Sequence, residues 1–77
     1  MEVQYFASLR ELAGCQRETL STGAATAAEL YDEVKAKHAI HLCRSSLKVA
    51  VNDDFASWTA PLADGDRVVF LPPVAGG

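Results

Sequence analysis

The residues best placed to do chemistry stand at the end of the chain. Gly76 and Gly77 close it, after Val74-Ala75 and the pair Pro72-Pro73. With no side chain near it, the Gly77 carboxylate suits an enzyme that must reach it through a narrow channel. Termini are also commonly rich in small residues for no functional reason. A terminal Gly-Gly arises by chance about once in 200 chains, so the rest of the sequence has to decide.

Other reactive side chains are few. Cys15 and Cys43 are the only cysteines, and no CxxC or Cys/His ligand spacing accompanies them. His38, His41 and Cys43 lie close in sequence, and three such residues can hold a metal. They lack a fourth ligand, and only His38 falls on the helix read below. They are therefore read as helix-end polar residues and a half-buried thiol, with no metal expected. A disulfide does not suit a reducing compartment. A persulfide on either cysteine has no electropositive surroundings in its favour. No Ser/His/Asp pairing and no phosphate-cradling GxGxxG or GxxxxGK[ST] is present.

Length and charge narrow the class. At 77 residues the chain is one small domain, too short for both a core and a deep catalytic cleft. Its 49% hydrophobic and 22% charged residues fit a globular rather than a disordered chain. The net charge of −3, with no basic run, speaks against nucleic acid. No apolar stretch approaches the ~20 residues that cross a bilayer, and the start lacks a basic leader, so a cytoplasmic protein is expected.

The elements follow from periodicity. Glu2 to Ala7 alternates Val3, Tyr5 and Ala7 against Glu2, Gln4 and Phe6, which predicts a first strand with Phe6 on the polar face. Ser8 to Gly14 reads as a short helical turn, capped by Ser8 and ended by Gly14. Gln16 to Ser21 is a second strand, antiparallel to the first. Thr26 and Glu29 form a capping box in which hydroxyl and carboxylate each satisfy a free backbone N–H. Ala27, Leu30, Tyr31 and Val34 then trace one face of the main helix, which ends near His38.

Leu47 to Val51 alternates again as a strand, with a turn at Asn52-Asp53-Asp54. Trp58, Pro61 and Leu62 fall in an irregular connection. Asp64-Gly65-Asp66 turns into Arg67 to Leu71, a last strand apolar on both faces and so either central or used for binding. The expected core is Val3, Tyr5, Leu30, Val34, Leu47, Val49, Val51 and Val68. Pro72 and Pro73 must end the sheet, since proline cannot donate to its ladder. From Pro72 the last six residues can reach roughly 20 Å from the domain.

These residues resemble a known family, the ubiquitin-like β-grasp sulfur carriers, and most closely the MoaD-like small subunits of molybdopterin synthase. The likeness runs through Phe6-Ala7, Arg10-Glu11-Leu12-Ala13-Gly14, Ala50-Val51-Asn52 and Pro61-Leu62. It is sharpest in Asp64-Gly65-Asp66 followed by Phe70-Leu71-Pro72-Pro73-Val74-Ala75-Gly76-Gly77. Leu71 departs from it, standing where an aromatic is common.

The resemblance implies an α+β fold: a mixed four- to five-stranded sheet on one main helix (1–71), with a flexible C-terminal tail (72–77). It implies a carrier that is not catalytic alone. The Gly77 carboxylate is adenylated on a ubiquitin-activating-type adenylyltransferase that uses ATP. A sulfur donor then converts it to a thiocarboxylate. Pro72, Pro73, Val74, Ala75 and Gly76 thread a channel of the large synthase subunit, in a heterotetramer, and sulfur passes to a cyclic pyranopterin. Phe6, Phe55 and Leu71 are the implied contacts with that partner. The chain itself binds no cofactor in this scheme. The competing readings are a β-grasp sulfur donor for thiamin, cysteine or tRNA thiolation, and a ubiquitin-like protein modifier.

Overall fold

The computed structural model describes residues 1–6 and 8–72. Strand β1 (Glu2–Tyr5) is followed by a short helix α1 (Ser8–Ala13), strand β2 (Arg17–Thr19) and the main helix α2 (Ala27–His38). A 3₁₀ turn (Arg44–Ser46) then leads to strands β3 (Lys48–Val51), β4 (Asp54–Ala56) and β5 (Arg67–Leu71). The strands make one sheet in the order β2-β1-β5-β3-β4. β1 and β5 run parallel at its centre, from Glu2 beside Arg67 to Tyr5 beside Phe70, and the other pairs are antiparallel. This is the β-grasp architecture, with α2 packed across one face of a five-stranded mixed sheet.

Helix α2 forms where its sequence pattern places it, and its start is closely satisfied. The first turn of any helix leaves backbone N–H groups without intrahelical partners. Here Ala27 N–H donates to the Ala60 carbonyl at 3.2 Å and Ala28 N–H to the Trp58 carbonyl at 2.9 Å. Glu29 N–H donates to the Thr26 hydroxyl at 3.3 Å. The box differs from the expected one in a single bond. The Glu29 carboxylate accepts from the Thr26 hydroxyl, 3.3 Å away, rather than from a backbone N–H. At the other end Ala39 takes the left-handed conformation (φ 53°), and the Ile40 N–H closes on the Lys35 carbonyl at 3.0 Å. Glu29 in the first turn and Lys35, Lys37 and His38 in the last agree with the helix dipole.

Ala27, Leu30, Tyr31 and Val34 of α2 are buried against Val3, Tyr5, Val49, Val68 and Phe70 of the sheet. Phe70 is the aromatic hub of this core. Trp58 stacks on it with ring centroids 5.9 Å apart and planes 12° apart, and Tyr31 meets it edge-on at 5.3 Å. Tyr31 also donates its hydroxyl to the Leu42 carbonyl at 2.7 Å, so its polar end is paired despite the burial. Burial, with Cys43 and Asp32 nearby, pushes the Tyr31 phenol up.

Several details depart from the sequence reading. Ser8 is the first residue of α1 rather than its cap, while Gly14 stops the helix as expected with φ 77° and an N–H bond of 3.0 Å to Arg10. Asp54 does not belong to a turn: the chain reverses on Asn52 and Asp53 alone, both with positive φ, and Asp54 to Ala56 returns as β4. Such two-residue turns match the twist of a hairpin and tolerate Asn and Asp at positive φ. The Asn52 carboxamide steadies this turn by accepting from Arg67 N–H at 3.0 Å and donating to Asp66 at 3.1 Å, and Arg67 pairs with Asp53. Val51, the last residue of β3, is only half-buried and packs against the edge of the core. Leu9, Ala13 and Ile40 complete the core instead, from segments with too few residues to show a period.

Leu30 is fully buried at the centre of the helix face. Leu30→Ala is expected to lower the unfolding free energy by roughly 2–5 kcal/mol through lost transfer energy and a cavity. Urea titration checks this. A loss under about 0.5 kcal/mol, the size of a surface change, would contradict the packing described.

Candidate functional site

The last described residues, Leu71 and Pro72, stand at the end of β5, a strand in the middle of the sheet. β5 reaches that position because it is apolar on both faces, so it can be covered on one side by α2 and flanked by β1 and β3 on the other two. Val68 and Phe70 point into the core, fully buried. Arg67, Val69 and Leu71 therefore point to the outer face, by the alternation of a strand. Leu71 and Pro72 are half-buried. Pro73, Val74, Ala75, Gly76 and Gly77 lie outside the described residues, and with them most of the sequence-derived site.

The register shows what surrounds the exit. Leu71 pairs with Lys48 of β3. One step beyond the Tyr5–Phe70 pair, Phe6 stands level with Leu71 on the other side. A second row, nearer the middle of the same face, runs Gln4, Val69, Ala50, Phe55. Phe6 is 47% exposed and Phe55 77% exposed. The three residues implied as partner contacts thus share one face but do not form one cluster. Phe6 and Leu71 sit together at the exit, whereas Phe55 stands on the edge strand, two strands away.

Val69 and Ala50 fill the space between them, and the sequence reading did not single them out. Their signal was present in the alternation of β5, which puts Val69 on the face of Leu71. Val69 is only 8% exposed yet stands outside the helix-side core. The outer face is therefore apolar at its centre, with aromatic side chains at two margins and Lys48 exposed beside the exit. A shallow groove beside Phe55 is lined by Lys48, Val49, Ala56 and Ser57. Such an open apolar face suits the docking of a partner.

Titratable groups gather on the other side of the molecule, around Glu18. Its carboxylate accepts from Lys37 Nζ at 2.6 Å and from the Tyr5 hydroxyl at 2.6 Å, and lies 2.5 Å from His38 Nε2. Partial burial pushes the Glu18 carboxyl up, but the hydrogen bonds from Lys37, Tyr5 and His38 outweigh it and hold it down at about 2. Burial and the bond to Glu18 push the Tyr5 phenol well up. His41 and Cys43 are exposed, and among the described residues they do not converge with His38.

Comparison with known proteins places this geometry among relatives. The ThiS family profile matches residues 3–77. The molybdopterin synthase sulfur carrier subunit of Escherichia coli is 36% identical over 80 residues, covering 100% of this chain and 99% of that protein. Among solved structures, small archaeal modifier protein 1 from Methanosarcina acetivorans superposes with a TM-score of 0.82 at 25% identity, over 99% of this chain and 94% of that one. A chain from the complex of subunits 1 and 2 of the molybdopterin-converting factor of Helicobacter pylori superposes with a TM-score of 0.68 at 28% identity, over 99% and 96%.

Substitutions on the outer face distinguish its exposed residues from its packed ones. Phe55→Asp is expected to change the unfolding free energy by no more than about 1 kcal/mol, the span of strand propensity at an exposed site. Val69→Asp on the same face should cost more than about 2 kcal/mol, because it buries a charge without a partner. Denaturant titration of both variants checks the contrast. Equal losses would mean that Phe55 belongs to the packed interior.

Proposed function

Since the chain belongs to the ThiS family of β-grasp sulfur carriers, we propose that it is the sulfur-carrying small subunit of a molybdopterin synthase. The single observation that carries this reading is the likeness to the Escherichia coli sulfur carrier subunit, which extends over the whole of both chains. The apolar outer face at the exit of β5 supports it, since a carrier needs a surface that brings its tail to a partner. In this reading the partner is a large catalytic subunit; the similar chain of Helicobacter pylori is found in complex with subunit 2 of its molybdopterin-converting factor.

The chemistry follows from the terminal carboxylate. Alone it is a poor electrophile. Attack on the α-phosphate of ATP, bound by a separate activating enzyme, releases pyrophosphate and makes a Gly77 acyl adenylate. A sulfur nucleophile displaces AMP from that mixed anhydride and leaves a thiocarboxylate. Docked through Phe6, Leu71 and Phe55, the carrier presents this group to the large subunit, where the sulfur passes to a cyclic pyranopterin. Pro72 and Pro73 favour an extended exit. Gly76 and Gly77 let the partner's backbone close around the reacting end, which any Cβ would obstruct. Acid–base residues belong to the partners.

A second reading has its own support. The likeness to small archaeal modifier protein 1 fits a role in which Gly77 forms an isopeptide bond with a protein lysine. Both readings share the activated carboxylate and differ in the nucleophile that accepts it.

Intact mass after co-expression with an activating enzyme and a sulfur source tests the proposal. Exchange of one oxygen for sulfur on the C-terminal peptide is expected, followed by loss of that sulfur when the large subunit and pyranopterin are added. Deleting Gly77 withdraws the end by roughly 3.5 Å, more than near-attack geometry tolerates, so transfer should vanish while the fold remains. Gly76→Val should be nearly as damaging. Phe55→Asp should weaken binding to the large subunit with the melting temperature nearly unchanged. Cys43→Ser, which removes the exposed thiol, should leave transfer intact. Gly77 found on protein lysines, with no thiocarboxylate, would replace the proposal with the modifier reading.

A further inference from the structure

We propose that Cys15, Glu18 and His38 form a binding site for a thiophilic divalent cation, with Zn²⁺ the best match. One loop and two elements deliver these residues. Cys15 follows the left-handed Gly14 that ends α1, Glu18 is the middle residue of β2, and His38 is the last residue of α2. Their ligand atoms, one thiol sulfur, one carboxylate oxygen and one imidazole nitrogen, all lie within 4.8 Å of one another. Tetrahedral Zn²⁺ with bonds of about 2.0–2.3 Å spaces its donors roughly 3.3–3.8 Å apart. The Glu18–His38 pair is closer than that, at 2.5 Å, and no pair exceeds 4.8 Å, so shifts of about 1 Å reach that spacing.

The donor set selects the metal. Calcium and magnesium take oxygen ligands, whereas sulfur and nitrogen donors favour zinc and its neighbours. Thiolate and carboxylate together balance a double positive charge, with a neutral imidazole as the third ligand. Among the described residues no fourth donor of this kind joins them, which leaves a position for water. A thiol that binds such a metal gives its proton to solvent.

The surroundings are those of a held site rather than a chance surface group. The side chains of Glu18 and His38 are only 15% and 14% exposed. Tyr5 donates its hydroxyl to the Glu18 carboxylate at 2.6 Å, and its ring meets the His38 ring edge-on with centroids 5.8 Å apart. Those contacts orient two of the ligands, as outer groups do in metal sites. The ion has competitors: it must part His38 Nε2 from Glu18 Oε2, now 2.5 Å apart, and offset the Lys37 pair. Lys37 is half-exposed and free to swing into solvent. Bound there, the ion would pin the three-residue edge strand β2 to the end of α2.

Cobalt titration of the full, chelator-stripped chain tests this, with Co²⁺ as the spectroscopic stand-in. A thiolate-to-cobalt charge-transfer band and tetrahedral d–d bands should saturate at one equivalent and disappear on adding Zn²⁺. Cys15→Ser should abolish the charge-transfer band, and His38→Asn should weaken affinity by about tenfold or more. Cys43→Ser and His41→Asn should leave the spectrum unchanged. On the unsubstituted chain, where folding is not in question, one equivalent of Zn²⁺ should slow alkylation of Cys15 and leave Cys43 reacting at its metal-free rate. No band at one equivalent, a band that depends on Cys43, or no protection of Cys15 would overturn the proposal. Sulfur transfer plays no part in the readout, so failure here and failure of the carrier reading are separate results.

Discussion

The parallel pairing of β1 with β5 is the constraint on which the rest of this small domain depends. It joins the first strand to the last, residue by residue from Glu2–Arg67 to Tyr5–Phe70. Parallel neighbours cannot be joined by a tight turn. The intervening chain must leave the sheet, cross its face and return, and α2 makes that crossing. The same pairing puts β5 between two neighbours, so its C-terminal end is held by hydrogen bonds on both sides. Leu71 and Pro72 therefore stand at the end of a strand anchored in the middle of the sheet.

The two faces of the sheet then take different tasks. On one, α2, Ile40 and Leu9 complete a core centred on Phe70, with Trp58 stacked on its ring and Tyr31 edge-on to it. A domain of this size buries only about 60% of its unfolded surface, so each large core side chain carries a substantial share of stability. On the other face, Val69 and Ala50 are covered by little more than their neighbours in the sheet, while Phe6 and Phe55 remain exposed. Open apolar faces of this kind are where proteins commonly meet partners.

The long connection between β4 and β5 links these parts. Carbonyls of Trp58 and Ala60 take the first N–H groups of α2, and the Trp58 ring stacks on Phe70. At its far end, Asp66 accepts from Ala63 N–H at 2.8 Å and from Asn52 at 3.1 Å, which holds its carboxyl below the usual range. An irregular segment is tolerated here because its polar backbone groups find fixed partners.

Much was legible before any coordinates. Thr26 with Glu29, Gly14, and Asp64-Gly65-Asp66 act within a few residues of themselves, so their effects survive in any context. The helix face Ala27-Leu30-Tyr31-Val34 and the alternation of β1, β3 and β5 depend only on the geometry of their own elements. The family likeness was visible too, in the residues from Phe70 to Gly77 and in their turn. Tertiary structure alone decided the strand β4, whose three residues carry no period. It brought Leu9 and Ile40 into the core and left Val51 at its margin. It also set Phe55 apart from Leu71, and drew His38 at the end of α2 to Cys15 and Glu18. Those outcomes rest on which segments become neighbours in space, and contacts between distant residues leave no local pattern in the order of the amino acids.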